Sequence, residues 1–168
     1  MKVIKITVLI VFSIFLIACG EKTEKKNKGF SYENKPETSK QVESNPNNIV
    51  ITGNDAMQFN KKVIRVKAGK KVKVTLKHIG KMGKNVMGHN FVLLKQGVNL
   101  TAFGNLAASA SDNSYIPKNT NNVIAHTKML GGGETAVIEF DAPKVGTYQF
   151  LCSFPGHYAL MKGEFIVE

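Results

Sequence analysis

The heptapeptide Lys71-Val72-Lys73-Val74-Thr75-Leu76-Lys77 alternates polar and apolar residues without a break. Only an extended strand puts every second side chain on one face. Val72, Val74 and Leu76 are therefore expected to face a core, with the lysines and Thr75 in water, as in an outer strand of a sheet. Short runs of similar character recur at 49–52, 63–66, 90–94, 135–140, 147–151 and 164–167. Turn signals separate them: Gly53-Asn54-Asp55, Ala68-Gly69, Gly131-Gly132-Gly133 and the stretch 143–146. Many short strands at this spacing predict an all-β sandwich or barrel of two sheets. One interruption, 99–114, is rich in Ala, Leu and small polar residues and predicts a short helical insertion outside the sandwich, serving as scaffold. The chain shows no internal repeat and no second domain.

The amino-terminal third is not expected to belong to that fold. Lys2 and Lys5 precede an apolar core at 8–17, and Ala18-Cys19 closes it. This pattern is a secretory signal too short for a comfortable membrane span. Leu16-Ile17-Ala18-Cys19 resembles a bacterial lipobox, so the reading is a signal peptide at 1–18 and a lipidated Cys19, acylated with palmitate-type chains. Residues 20–48 hold six Lys and five Glu among Asn, Ser, Pro and Thr. A stretch with so few apolar groups cannot bury enough surface to order itself and suits a flexible linker. The expected organisation is thus a signal at 1–18, Cys19 with its linker to 48, and one domain at 49–168. It places a globular head on a membrane of the bacterial cell envelope, facing the periplasm or the exterior.

The head carries 15 Lys and Arg against seven Asp and Glu, a net charge of +8. Nucleic acid is a poor partner for it, because the charge is spread over strands, no aromatic-and-basic binding motif accompanies it, and the exported address removes such targets. An acidic protein or anionic headgroups fit better.

Cysteine usage narrows the chemistry. The chain has two cysteines, Cys19 and Cys152; with Cys19 consumed as an anchor, Cys152 is left unpaired. An unpaired thiol in an exported protein points to a reactive or metal-bound sulfur. Cys152 opens the stretch Cys152-Ser153-Phe154-Pro155-Gly156-His157-Tyr158-Ala159-Leu160-Met161, and a second imidazole stands upstream in Met87-Gly88-His89-Asn90-Phe91. Two His, one Cys and one Met suit copper electron transfer, since soft sulfur favours Cu(I) and imidazole also supports Cu(II). Zinc is the main competitor, but Met is a poor zinc ligand. Pro155 and Gly156 suit a turn that delivers three ligands from one loop.

At these residues the domain resembles the azurins, bacterial blue copper proteins of the cupredoxin fold, a Greek-key β-sandwich. The matching stretches are 53–60, 84–90, 123–128 and 152–163, within a resemblance covering nearly all of 49–168. The resemblance implies a single type 1 copper, with His89, Cys152 and His157 equatorial, Met161 a distant axial sulfur and the Gly88 carbonyl opposite. It implies that Asn90 ties the two ligand loops together near the Cys152 sulfur. It also implies an apolar electron-transfer patch around His157 built from Met57, Val86, Met87, Phe154, Pro155 and Ala159. His78 and His126 match family histidines that are not ligands. Two departures stand out: the disulfide typical of azurins has no cysteines here to form it, and Phe91 occupies the place of a buried tryptophan.

The expected function is a lipid-anchored, one-electron carrier and not an enzyme, exchanging electrons with exported redox proteins such as a c-type cytochrome or a copper/haem oxidoreductase. No small-molecule substrate is expected. The alternative is a copper-delivery lipoprotein, although the linker lacks the Met-rich or His-rich tract that would favour it. An adhesin keeping only the scaffold would not need the full ligand set.

Overall fold

The computed structural model describes residues 45–168; the expected signal, Cys19 and the linker up to 44 lie outside the described residues. Among the described residues nine strands form: β1 (Asn48–Asn54), β2 (Gln58–Phe59), β3 (Val63–Val66), β4 (Lys71–His78), β5 (Val92–Leu94), β6 (Val123–His126), β7 (Thr135–Asp141), β8 (Gly146–Leu151) and β9 (Lys162–Val167). They make a four-stranded sheet in the order β2-β1-β4-β7 and a five-stranded sheet in the order β3-β9-β8-β5-β6. β1 with β4 and β3 with β9 are parallel, and the remaining pairs antiparallel. The result is the expected β-sandwich.

The period-2 pattern of β4 is fully realised, with Val72, Val74 and Leu76 at 0% exposure. β4 is nevertheless not an outer strand. It lies inside its sheet, paired with β1 on one side and β7 on the other. Alternation reports that one face of a sheet is wet; it carries no information about whether the strand's edges are paired. Between the sheets, Phe91 and Phe59 pack on Phe150 at ring separations of 5.3 and 5.9 Å. These buried aromatic and aliphatic groups hold the sheets together, each contributing roughly 1.5–3 kcal/mol. Cys152 is the free cysteine among the described residues, so the head relies on packing rather than a crosslink.

The fold begins slightly before residue 49. Asn47 is fully buried, its Nδ2 donating to the Lys67 carbonyl at 3.0 Å and its Oδ1 accepting from Lys67 N–H at 2.8 Å. A polar residue used this way leaves no apolar signal.

Two helices interrupt the strands, α1 (Lys84–Met87) and α2 (Leu100–Ala107). α2 is the anticipated insertion, and the Asn99 side chain caps it by accepting from Ala102 N–H at 2.9 Å. Leu100, Phe103 and Ala107 turn inward and pack with Val92, Leu94 and Leu151 as a second apolar cluster. The insertion is more than scaffold. A Cβ on Gly104 would fall 2.4 Å from the ring of Tyr158, and Tyr158 Oη donates to Asn105 Oδ1 at 2.6 Å. The helix thereby clamps the loop that follows Cys152. α1, one turn between β4 and β5, was not legible in the sequence because it buries no residue.

Candidate metal centre

Cys152 follows directly on β8, and its loop is pinned to itself. Cys152 N–H donates to the Met161 carbonyl at 2.9 Å, His157 N–H to Phe154 at 3.0 Å, and Met161 N–H to His157 at 2.7 Å. Residues 157–159 form a single 3₁₀ turn. Gly156 enters it at φ +79, a left-handed conformation that costs an ordinary residue about 1–2 kcal/mol. The turn signal at Pro155-Gly156 therefore has its expected cause.

His89 comes from the opposite loop, held by a reciprocal backbone pair with Leu130 at 3.0 and 2.8 Å. Its Nε2 donates to the Asn54 carbonyl at 2.9 Å, which leaves Nδ1 without a proton and free to bind a metal. That Nδ1 lies 3.9 Å from Cys152 Sγ, and His157 Nδ1 lies 3.7 Å from it. The three donor atoms are all within 4.8 Å of one another and all three residues are buried. A metal with bonds of about 2.0 Å to imidazole and about 2.3 Å to thiolate, roughly 120° apart, sets N and S about 3.7 Å from each other. The donors thus stand at metal-bridging separations, as a type 1 copper site requires. The Gly88 carbonyl is also 3.7 Å from Sγ, and Met161 is fully buried beside the cluster.

The electrostatics suit a metal rather than free protons. Burial pushes the Cys152 thiol up to about 12, against the backbone N–H groups of Asn90 and Phe154, which favour thiolate. The sulfur consequently stays protonated until a metal displaces the proton. Burial is also the main cause holding His157 down to about 4, with the nearby His89 and His78 adding to it. His89 is lowered as well, first by burial, despite its bond to Asn54. Both imidazoles are neutral at pH 7, the form that ligates.

Two glycines make room for the cluster. A Cβ at Gly88 would lie 2.5 Å from the Lys84 carbonyl and 2.9 Å from both Met129 and Phe154; at Gly53 it would lie 2.8 Å from His89 Cδ2 and 3.2 Å from the Met161 methyl. Gly53-Asn54-Asp55 reads as a turn signal, whereas Gly53 and Asn54 end strand β1. A glycine at the end of an alternating run is the signal that was available, since it marks close approach by another group.

Asn90 does tie the loops together. Its Oδ1 accepts from Ser153 N–H at 2.8 Å, and its Nδ2 donates to Ser153 Oγ at 2.8 Å and to the Ser114 carbonyl at 3.1 Å. Ser153 was not anticipated as its partner. Among the patch residues Val86, Pro155 and Ala159 are exposed and Met57 and Met87 half-buried. Phe154 is 9% exposed and lies beneath the surface rather than on it, because its ring is wedged between Tyr115 at 5.2 Å and His157 at 4.6 Å. His78 is outside the donor cluster. It stacks on His89 at 4.3 Å, its Nδ1 accepts from Gly80 N–H at 3.0 Å and its Nε2 donates to the Met87 carbonyl at 2.8 Å. His126 is exposed at the end of β6.

Comparison with known proteins agrees with this geometry. Residues 46–168 match the family described as copper binding proteins, plastocyanin/azurin family. The chain is 52% identical over 119 residues to azurin-1 of Alcaligenes xylosoxydans xylosoxydans, covering 68% of this chain and 92% of that one. It is 48% identical to the azurin of Bordetella pertussis, over 68% and 79% of the two chains. Among solved structures, dithionite-reduced auracyanin from Roseiflexus castenholzii superposes with a TM-score of 0.66 at 36% identity, covering 73% of this chain and 97% of that one. An azurin isoform from Methylomonas sp. strain J gives 0.66 at 31% identity, over 72% and 97%. The two imidazoles and the thiol converging in one buried cluster, on a sandwich shared with these relatives, establish that the chain belongs to the plastocyanin/azurin family of copper-binding proteins.

Proposed function

We propose that this chain carries single electrons between exported redox proteins, such as a c-type cytochrome and a copper/haem oxidoreductase, while anchored by lipid at Cys19 in the bacterial cell envelope. In this reading His89, Cys152 and His157, with Met161 and the Gly88 carbonyl, would hold the copper. Bound copper supplies the Cu(I)/Cu(II) couple. The observation that carries the proposal is that the two Nδ1 atoms stand 3.9 and 3.7 Å from Sγ, the spacing that one shared metal would need.

The residues around the cluster fit a carrier rather than an enzyme, because five donors leave no position for a substrate. Val86, Pro155 and Ala159 offer an exposed apolar surface near His157, with Leu160 beside them 54% exposed. A patch of this kind suits the small, transient contact of a redox encounter.

The test is to load the purified chain with Cu(II) and look for an intense blue thiolate-to-copper absorption that disappears on reduction. A colourless protein sinks the proposal. Rapid loss of copper to a chelator from the folded chain would instead favour copper delivery.

A further inference from the structure

Of the 15 cations of the head, five are matched by carboxylates among the described residues and ten lysines are not. Arg65 and Lys67 lie 3.8 and 3.2 Å from Glu168, Lys71 lies 3.1 Å from Asp141, and Lys73 lies 3.7 Å from Glu139. The unmatched lysines are spread over the head, and three of them stand beside the loops that carry the metal donors. Lys62, Lys84 and Lys128 have no carboxylate partner among the described residues. Lys62 Nζ donates instead to the Leu160 carbonyl at 2.7 Å, which fixes its charge on the ligand loop itself. The carboxylates Asp55 and Glu134 accept from the backbone N–H groups of Lys81, Met82 and Gly131 rather than from these lysines.

Lys84 and Lys128 line one cleft of about 310 Å³, together with Asn85, Tyr115 and Met129. Asp112 also lines it, but Lys118 neutralises that carboxylate at 2.6 Å. The cleft is joined to the metal cluster ring by ring, through Tyr115 on Phe154 at 5.2 Å and Phe154 on His157 at 4.6 Å. Two uncompensated ammonium groups at one concave site, beside an apolar surface, are complementary to a carboxylate on an otherwise compact partner.

Building on the electron-carrier reading, we infer that this cleft docks an acidic face of the redox partner, with a partner carboxylate entering between Lys84 and Lys128 while the apolar surface near His157 meets it. Exposed charges of this kind add little affinity, but they raise the encounter rate and fix orientation. A lipid headgroup would share the chemistry, but a membrane seated here would cover the port that the partner must reach.

The experiment uses the full-length Cys19→Ser chain, so that no acyl anchor intervenes. Ferricyanide, a trianionic oxidant, takes one electron from the reduced protein and becomes ferrocyanide; the tricationic tris(phenanthroline)cobalt(III) serves as its opposite. The pair Lys84→Glu with Lys128→Glu is compared with the remote pair Lys71→Glu with Lys73→Glu, which changes the net charge equally. At low ionic strength the cleft pair should slow ferricyanide by about fivefold or more and speed the cobalt oxidant, and the remote pair should change either by less than about twofold. Equal effects of the two pairs would overturn the inference. A readout independent of copper is line broadening by hexacyanochromate(III), an inert paramagnetic trianion. The amides of Asn85, Tyr115 and Lys128 should broaden first, and even broadening over the surface would count against the cleft. If the cleft pair releases the chain from phosphatidylglycerol vesicles yet leaves the ferricyanide rate unchanged, the site reads lipid and the inference fails. A chain that never turns blue overturns the carrier reading, whereas selective broadening would still support an acidic ligand in the cleft.

Discussion

The side-chain amide of Asn90 holds Ser153 at both ends, its Oδ1 accepting from the Ser153 N–H and its Nδ2 donating to the Ser153 hydroxyl, each at 2.8 Å. Since Asn90 follows His89 and Ser153 follows Cys152, this one contact sets the separation of two metal donors that are 63 residues apart in sequence.

Asn90→Leu should therefore cost about 3 kcal/mol of stability, because it leaves buried Ser153 groups without partners. Urea unfolding of the metal-free chain measures this. Copper affinity should fall in the same variant, and an unchanged affinity would mean that Asn90 does not position the donors.

Gly53→Ala should disturb the metal site although Gly53 donates nothing to it. Its new methyl would lie 2.8 Å from His89 Cδ2 and 3.2 Å from the Met161 methyl, so the imidazole has to move. The blue absorption band should shift or weaken. Gly69→Ala is the control: at φ +69 with open space around it, it should lose about 1–2 kcal/mol of stability and keep its spectrum.

Acidification should destabilise the metal-free protein. His157 is held down to about 4 from an ordinary 6.5, chiefly by burial, so between those values the unfolded chain binds the proton and the folded chain does not. Stability from this group is complete above about pH 6.5 and is lost as pH falls toward about 4. His89 is lowered too and acts in the same direction. Urea midpoints taken at several pH values should fall through this window, and His157→Gln should flatten the slope.

Removing donors should separate their roles. Cys152→Ala should abolish the blue colour, whereas Met161→Leu should keep it and raise the reduction potential, since a weak axial sulfur tunes the site without creating it. Voltammetry decides the second case; an unchanged potential would show that Met161 is packing rather than a ligand.

The strands were readable wherever one face of a sheet is dry and the other wet, as in β4. β2 escaped because two residues carry no period, and β6 because Val123, Ile124 and Ala125 are all half-buried, so no alternation is written into them. The donor set was readable because Cys, His and Met within one short loop have few joint uses. Gly53, Ser153 and Tyr158 were not, since each acts through space on a residue remote in sequence.

The class of fold and the preference for copper could be read from residues and their spacing, because periodicity and donor softness are local properties. Tertiary structure decided which nitrogen of each imidazole faces the metal, how far it stands from Cys152 Sγ, and which lysines were left without partners. Those depend on where the Asn54 carbonyl, the Asn90 amide and the carboxylates of distant strands arrive when the two sheets close, and no local pattern encodes such long-range arrivals.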